Sequence, residues 1–181
     1  MPLPREQSCT ADDYWNLPEG HRAELISGQL YAMTPPGRIH QEIVSHLHAA
    51  VYNYIASKGG ACKVYPAPFA VNLNADDTTY VEPDISVICD PDKLTERGCS
   101  GAPDLVIEVV SPGSRRMDYG TKMGLYMNAG VREYWIVDPA KERTVVYQFE
   151  EDEASKIIPF SHPVQAGIFP GLRVTVADLL K

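Results

Sequence analysis

A carboxylate in the middle of an apolar run is the feature of this sequence that chemistry must account for. Glu108 is centred in GAPDLVIEVVSPGS (101–114), where Leu105 to Val110 has the length and β-branched content of a buried strand. Pro103 precedes that run and Ser111, Pro112 and Gly113 follow it, so turn formers bracket it. Alternation along a strand turns Leu105, Ile107 and Val109 one way and Val106, Glu108 and Val110 the other. A run apolar on both faces is covered on both faces, and an unpaired buried charge costs several kcal/mol or more. Glu108 must therefore be neutralised, paired or bound to a cation.

Two more residues are candidates to work with it. Asp84 follows Pro83 and opens the run DISVIC. Carboxylates from two neighbouring strands can share a hard, oxygen-preferring cation such as Mg²⁺, which activates water and offsets charge on a phosphodiester. Lys122 would add an ammonium able to orient that water or stabilise an oxyanion. Pro103-Asp104 is a second Pro-Asp pair competing with Pro83-Asp84. Asp104 and Glu108 share one strand four residues apart, about 13 Å at the usual rise, too far to hold one ion. On residues alone, Asp118 and Lys122 also read as an i, i+4 surface ion pair, and Asp84 as a strand-entry turn residue.

The elements that must position these groups can be read in outline. Thr10-Ala-Asp-Asp13 reads as a helix N-cap, predicting a short helix around Asp12 to Leu17. Ala23 to Met33 reads as a hairpin turning at Ser27-Gly28. From Arg38 to Ser57, Ile43, Val44, Leu47, Val51, Tyr54 and Ile55 form one apolar helical stripe, stopped by Lys58-Gly59-Gly60. His46 and His48 on this helix read as a solvated face, while Glu42 flanks the stripe and could look into a cleft. Strands are expected over Lys63–Leu73, Asp84–Cys89, Leu105–Val110, Glu133–Val137 and Thr144–Phe149, and a second helix over Arg115–Ala129. Tyr119, Lys122 and Tyr126 would share one face of that helix. The acidic stretch Glu150–Glu153 reads as a loop tip.

With 181 residues, 44% hydrophobic and 22% charged, the chain suits one domain over 1–181 with a core of its own. A net charge of -8 argues against a broad basic surface but leaves room for a local basic groove. Arg115 and Arg116, just after the Ser-Pro-Gly-Ser turn, are candidate phosphate contacts, with Arg38 a third. Cys9, Cys62, Cys89 and Cys99 are scattered without CxxC spacing and read as reduced thiols. No apolar leader precedes Trp15 and no run reaches membrane-spanning length, so a cytoplasmic protein without membrane contact is the expectation. A serine or cysteine hydrolase is disfavoured, since no nucleophile elbow is present.

The segments EPDISVI, PDLVIEVVSP and DYGTKMGLYMNAGVREYWIVDP resemble the Uma2 family, assigned to the PD-(D/E)XK nuclease superfamily. The likeness runs from the hairpin near Glu24 to at least Asp138; the order of segments is specific, and each alone is weak. It implies a restriction-endonuclease-like α/β fold, a mixed central sheet flanked by helices. It also implies a divalent ion, Mg²⁺ or Mn²⁺, on Asp84 and Glu108. One departure stands out: Val110 occupies the place of the superfamily lysine. The resemblance supplies Lys122 instead, from the following helix, and makes Glu42 similar to a first-helix acid of that superfamily. The function implied is hydrolysis of nucleic-acid phosphodiesters, DNA first, by a homodimer with an interface near Ile168-Phe169-Pro170. The alternative is a nuclease fold that binds or regulates without cutting.

Overall fold

A computed structural model describes residues 8–151 and 154–181. The polar lead-in at 1–7 and two residues of the acidic loop tip, 152–153, lie outside the described residues. Helix α1 (Ala11–Trp15) starts where the capping residues place it: the Thr10 hydroxyl accepts from the Asp13 N–H, and the Asp13 carboxylate accepts from the Thr10 N–H. Strands β1 (Ala23–Ile26) and β2 (Gln29–Ala32) pair antiparallel around Ser27-Gly28. Both turn residues have positive φ, 50° and 79°, the backbone that a two-residue hairpin needs and that glycine supplies at the second position.

Helix α2 (Arg38–Lys58) ends on Gly59 in the left-handed conformation, as the Lys-Gly-Gly sequence anticipates. The run expected as one strand over 63–73 divides into β3 (Lys63–Pro66) and β4 (Val71–Asn72), which belong to different sheets. Proline removes a ladder donor, and Pro66 and Pro68 stand where the chain leaves the first sheet. Strands β5 (Tyr80–Val81), β6 (Ile85–Ile88), β7 (Leu94–Thr95) and β8 (Gly98–Ser100) follow, then β9 (Leu105–Val109). The second long helix begins at Arg115, but Met117–Lys122 forms a π-helical turn before α3 (Met123–Ala129). Strands β10 (Glu133–Asp138), β11 (Arg143–Gln148) and β12 (Lys156–Pro159) complete the main sheet; β13 (Val164–Gln165), β14 (Arg173–Val174) and α4 (Val176–Leu179) close the chain.

The main sheet has the order β12-β11-β10-β9-β6-β3, with β9 parallel to β10 and antiparallel to β6. Strand β9 is thus interior to the sheet, and all five of its residues are buried. Its two faces divide as alternation requires. Leu105, Ile107 and Val109 pack with Ile43, Val44, Leu47 and Val51 of α2. Val106 and Val110 pack with Tyr126, Tyr134 and Ile136 on the other side. In a second sheet, β2-β1-β5-β4-β8-β7, only the hairpin and β4, at the end of the run expected over 63–73, fall within expected strands; its other members are only two or three residues long.

Two further expectations change. Cys62 and Cys89 form a disulfide, so the reading as free thiols holds only for Cys9 and Cys99. The reason lies in register: Lys63 faces Ile88, and one step further sets Cys62 opposite Cys89. A separation of 27 residues hides that juxtaposition from spacing. The apolar tail proposed for an interface is used internally, since Phe169 and Leu172 are buried in the α2 core and Ile168 packs against it. No described helix is long and apolar enough to cross a membrane.

Ile107→Ala, which opens a cavity between β9 and α2, should lower the free energy of unfolding by about 2–5 kcal/mol. The same truncation at Ile157, 59% exposed, should change it by less than about 0.5 kcal/mol. Urea titrations of both variants check this.

Candidate active site

The register of β6 on β9 builds the first half of the site. Ile85 faces Ile107, so the next pair along is Asp84 and Glu108, on the same face of adjacent strands. The Asp84 N–H donates to Glu108 Oε2 at 3.4 Å, and the Val109 N–H donates to Asp84 Oδ2 at 2.8 Å. His40, from the first turn of α2, brings its Nε2 to 3.2 Å from Asp84 Oδ2. Burial works against the His40 imidazolium, but the hydrogen bond and charge of Asp84 outweigh it and raise its pKa.

The second half comes from the π turn and α3. Lys122 Nζ donates to Glu108 Oε1 at 2.8 Å, and the Tyr126 hydroxyl donates to the same oxygen at 2.7 Å. The ammonium also lies 2.9 Å from Oε1 of Glu24, whose Oε1 accepts the Glu82 N–H. Glu24, Glu108, Asp118 and Lys122 are all at most 5% exposed. The lysine is therefore no surface partner of Asp118. The π turn carries both side chains inward, while Tyr119 turns aside to donate its hydroxyl to Asp138.

One ammonium faces three buried carboxylates. Burial pushes the Glu108 carboxyl well above its usual value; the Lys122 charge opposes this, and the charges of Asp84, Asp118 and Glu24 add to it. Burial likewise raises Asp118 to about 6, against Lys122 and the hydroxyl of Ser114, which donates to its Oδ2 at 2.5 Å. Burial opposes the Lys122 ammonium, yet Glu108, Glu24 and Asp118 more than compensate and hold its pKa well above that of an ordinary lysine.

The remaining candidates lie elsewhere. Glu42 pairs with Arg38 at 2.7 Å along α2, and Arg38 is 79% exposed. Arg115 makes a two-pronged ion pair with the buried Asp138, at 2.6 and 3.0 Å. Together with Arg116 it borders a groove lined by none of Asp84, Glu108 and Lys122. Asp104, the competing acid, accepts the Cys89 N–H and faces Arg132, tying β9 to its neighbours at the other end. Glu24, Asp118 and His40 were not selected from the sequence. Glu24 was findable: AELI is a lone acid in an apolar strand, the signal that marks Glu108. Nothing comparable marks Asp118 or His40, whose partners come from other elements.

Among the described residues, no three His, Cys, Asp or Glu side chains are gathered as a ready-made metal cage. The donor set nonetheless suits a hard divalent ion. Glu108 Oε1 and Asp84 Oδ2 are taken by the bonds above, leaving Asp84 Oδ1 and the weakly engaged Glu108 Oε2 as the less committed carboxylate oxygens. Mg²⁺ typically takes one or two carboxylates and keeps several waters.

Removal of the excess charge should be visible in stability. A carboxyl whose pKa is raised on folding stabilises the native state at low pH and loses that contribution as pH rises from its unfolded to its folded pKa. Asp118→Asn should therefore match the wild type near pH 4 and become progressively more stable than it up to about pH 6, levelling off above. Lys122→Met, which leaves buried acids unpaired, should cost about 3–5 kcal/mol at neutral pH. Denaturant midpoints across a pH series measure both.

Known proteins resemble this chain in sequence and in fold. The profile of Uma2, described as "Putative restriction endonuclease", matches residues 11–177. An uncharacterized protein of Synechocystis is 28% identical over 139 residues, 76% of this chain and 72% of that protein. A crystal structure from Anabaena variabilis, titled as that of "a putative nuclease belonging to DUF820", superposes with a TM-score of 0.77. It is 20% identical and covers 94% of this chain and 96% of its own, a likeness of fold. The fold is restriction-endonuclease-like, and the chain belongs to the Uma2 family.

Proposed function

We propose that this chain is a metal-dependent endonuclease that hydrolyses phosphodiester bonds, of DNA in the first instance. The observation that carries the reading is the pair Asp84 and Glu108, directly opposite on adjacent strands, with Lys122 bonded to Glu108. Asp84 and Glu108 would hold Mg²⁺ or Mn²⁺, which when bound supplies Lewis-acid polarisation of the phosphoryl group and a more acidic water. Val109 and His40 fix the Asp84 carboxylate, and Tyr126 and Lys122 fix that of Glu108, so neither has to be ordered when substrate arrives. Glu108 and Glu24 favour the ammonium form of Lys122. Its part is to orient the attacking water and offset the charge that builds on the phosphate, leaving proton acceptance to the surrounding carboxylates. Cutting both strands of a duplex requires two such sites, which a homodimer would supply.

Supercoiled plasmid incubated with Mg²⁺ should be nicked, and EDTA should stop the reaction. Glu108→Gln should abolish both calorimetric Mn²⁺ binding and cleavage. Lys122→Ala, with folding verified by circular dichroism, should retain ion binding while cleavage falls by at least about a hundredfold. DNA bound but never cut by the wild type in Mg²⁺ or Mn²⁺ would favour the non-catalytic binding reading.

A further inference from the structure

Outside the acid cluster, the feature that the proposed chemistry leaves unused is a groove of about 600 Å³ bordered by Pro112, Gly113, Tyr119, Gly120 and four cations. Those cations are Arg115, Arg116, Lys141 and Arg143, and no acid lines the groove, in a chain of net charge -8. Like charges gathered against the overall balance cost energy in the free protein. Part of the cost is offset from below. Asp138, fully buried, holds Arg115 by two bonds, accepts the Tyr119 hydroxyl at 2.9 Å and accepts the Lys141 N–H at 3.2 Å. Burial would raise the Asp138 carboxyl, but the bonds from Arg115 and Tyr119 and the charge of Arg115 reverse this and lower its pKa. The Arg115 and Arg143 guanidinium carbons lie 5.9 and 6.0 Å from the Tyr119 ring centre.

Arg115 is thereby compensated, and Arg116, Lys141 and Arg143 are not. Among the described residues none of these three makes an ion pair, and Arg143 Nε is closed off from solvent without a hydrogen-bond acceptor. Three cations without an acidic partner, on a groove that no acid lines, suit a ligand rich in anionic oxygen. Glu142, between Lys141 and Arg143 in sequence, has φ of 46° and does not line the groove.

The groove and the acid cluster are the two sides of one segment. Arg116 and Gly120 are exposed on its outer side, while Asp118 and Lys122 are buried on its inner side. We propose that this groove is the track for the phosphate backbone of the nucleic acid, with Arg116, Lys141 and Arg143 as its contacts and Arg115 and Tyr119 as a preset wall. The proposal rests on the nuclease reading above and adds where the strand runs. A nucleic-acid backbone suits better than a membrane: the exposed large apolar residues, Ile39, Tyr52, Met127 and Ile157, all lie outside the groove lining.

The test is fluorescence anisotropy of a labelled mixed-sequence DNA duplex of about 20 base pairs in EDTA, over about 50–200 mM salt. With three phosphates neutralised, log affinity should fall against log salt with a slope of about -2.7. Lys141→Ala/Arg143→Ala should make that slope shallower by about 1.8 and weaken binding at least about tenfold at the low-salt end. Lys58→Ala/Lys63→Ala removes the same two charges elsewhere and should change little. If the groove pair fails to fold, Arg116→Ala alone should reduce the slope by about 0.9. Equal losses in both double variants, no loss in the groove variant, or no duplex binding by wild type would overturn the proposal. So would groove-dependent binding to phosphatidylserine vesicles with duplex binding unaffected. Plasmid cleavage by wild type separates the two readings. Cleavage with groove variants that bind normally removes the track and leaves the nuclease. Groove-dependent binding with no cleavage in Mg²⁺ keeps the track and removes the catalysis.

Discussion

The ammonium of Lys122, held between Glu24 and Glu108 inside the protein, is the interaction on which the rest of the architecture depends. Each carboxylate alone would be a charge stranded in a core, and each is made tolerable by a lysine from a third element. The three residues come from β1, β9 and the π turn, so one ion cluster joins the second sheet to the main sheet and to its covering helix. Breaking any corner leaves the others uncompensated. Packing does not explain so much charge at the centre of a chain with ample apolar surface, since apolar residues of equal volume would also pack.

The π turn is what makes that cluster compatible with a basic exterior. In a regular α-helix, Asp118 and Tyr119 would both lie close to Lys122, on the face shared with Tyr126. Widening the turn keeps Asp118 beside Lys122 and releases Tyr119 to Asp138, where it braces Arg115. Insertions of this kind recur at functional sites because one extra residue re-aims the side chains on both sides of it. Here the two sides have opposite chemical character, acids within and cations without.

Much of this was legible in the sequence, and for identifiable reasons. Glu108 stood out because an acid in an apolar strand has no inexpensive structural use, and α2 because its stripe has an unbroken helical period. Asp84 was separable from Asp104 by the rise of a strand, and Asp104 does hold the far end of β9 instead. What stayed hidden depended on partners distant in the chain. The Cys62–Cys89 bond needs the β3–β6 register. The Asp118 burial depends on packing against elements distant in the chain, which its i, i+4 spacing to Lys122 does not reveal. Strands β4, β5, β7 and β8 are too short to alternate visibly. The Arg143 contribution to the groove follows from β10–β11 pairing, and nothing local in its surroundings distinguishes it from a solvated arginine.

The tight turn at Ser27-Gly28 carries a consequence out of proportion to its size. It sets which residues of β1 face inward, pairing Glu24 with Tyr31 across the hairpin and turning Leu25 toward Tyr14 and Tyr80. A strand repeats every two residues, so an offset of one would exchange those faces throughout. Leu25 or Ala23 would then meet the lysine, and Glu24 would press into an aromatic cluster. The pairing of the buried ammonium is therefore written in the handedness of two backbone units at the surface, where a residue unable to adopt positive φ would act as a mutation of the centre.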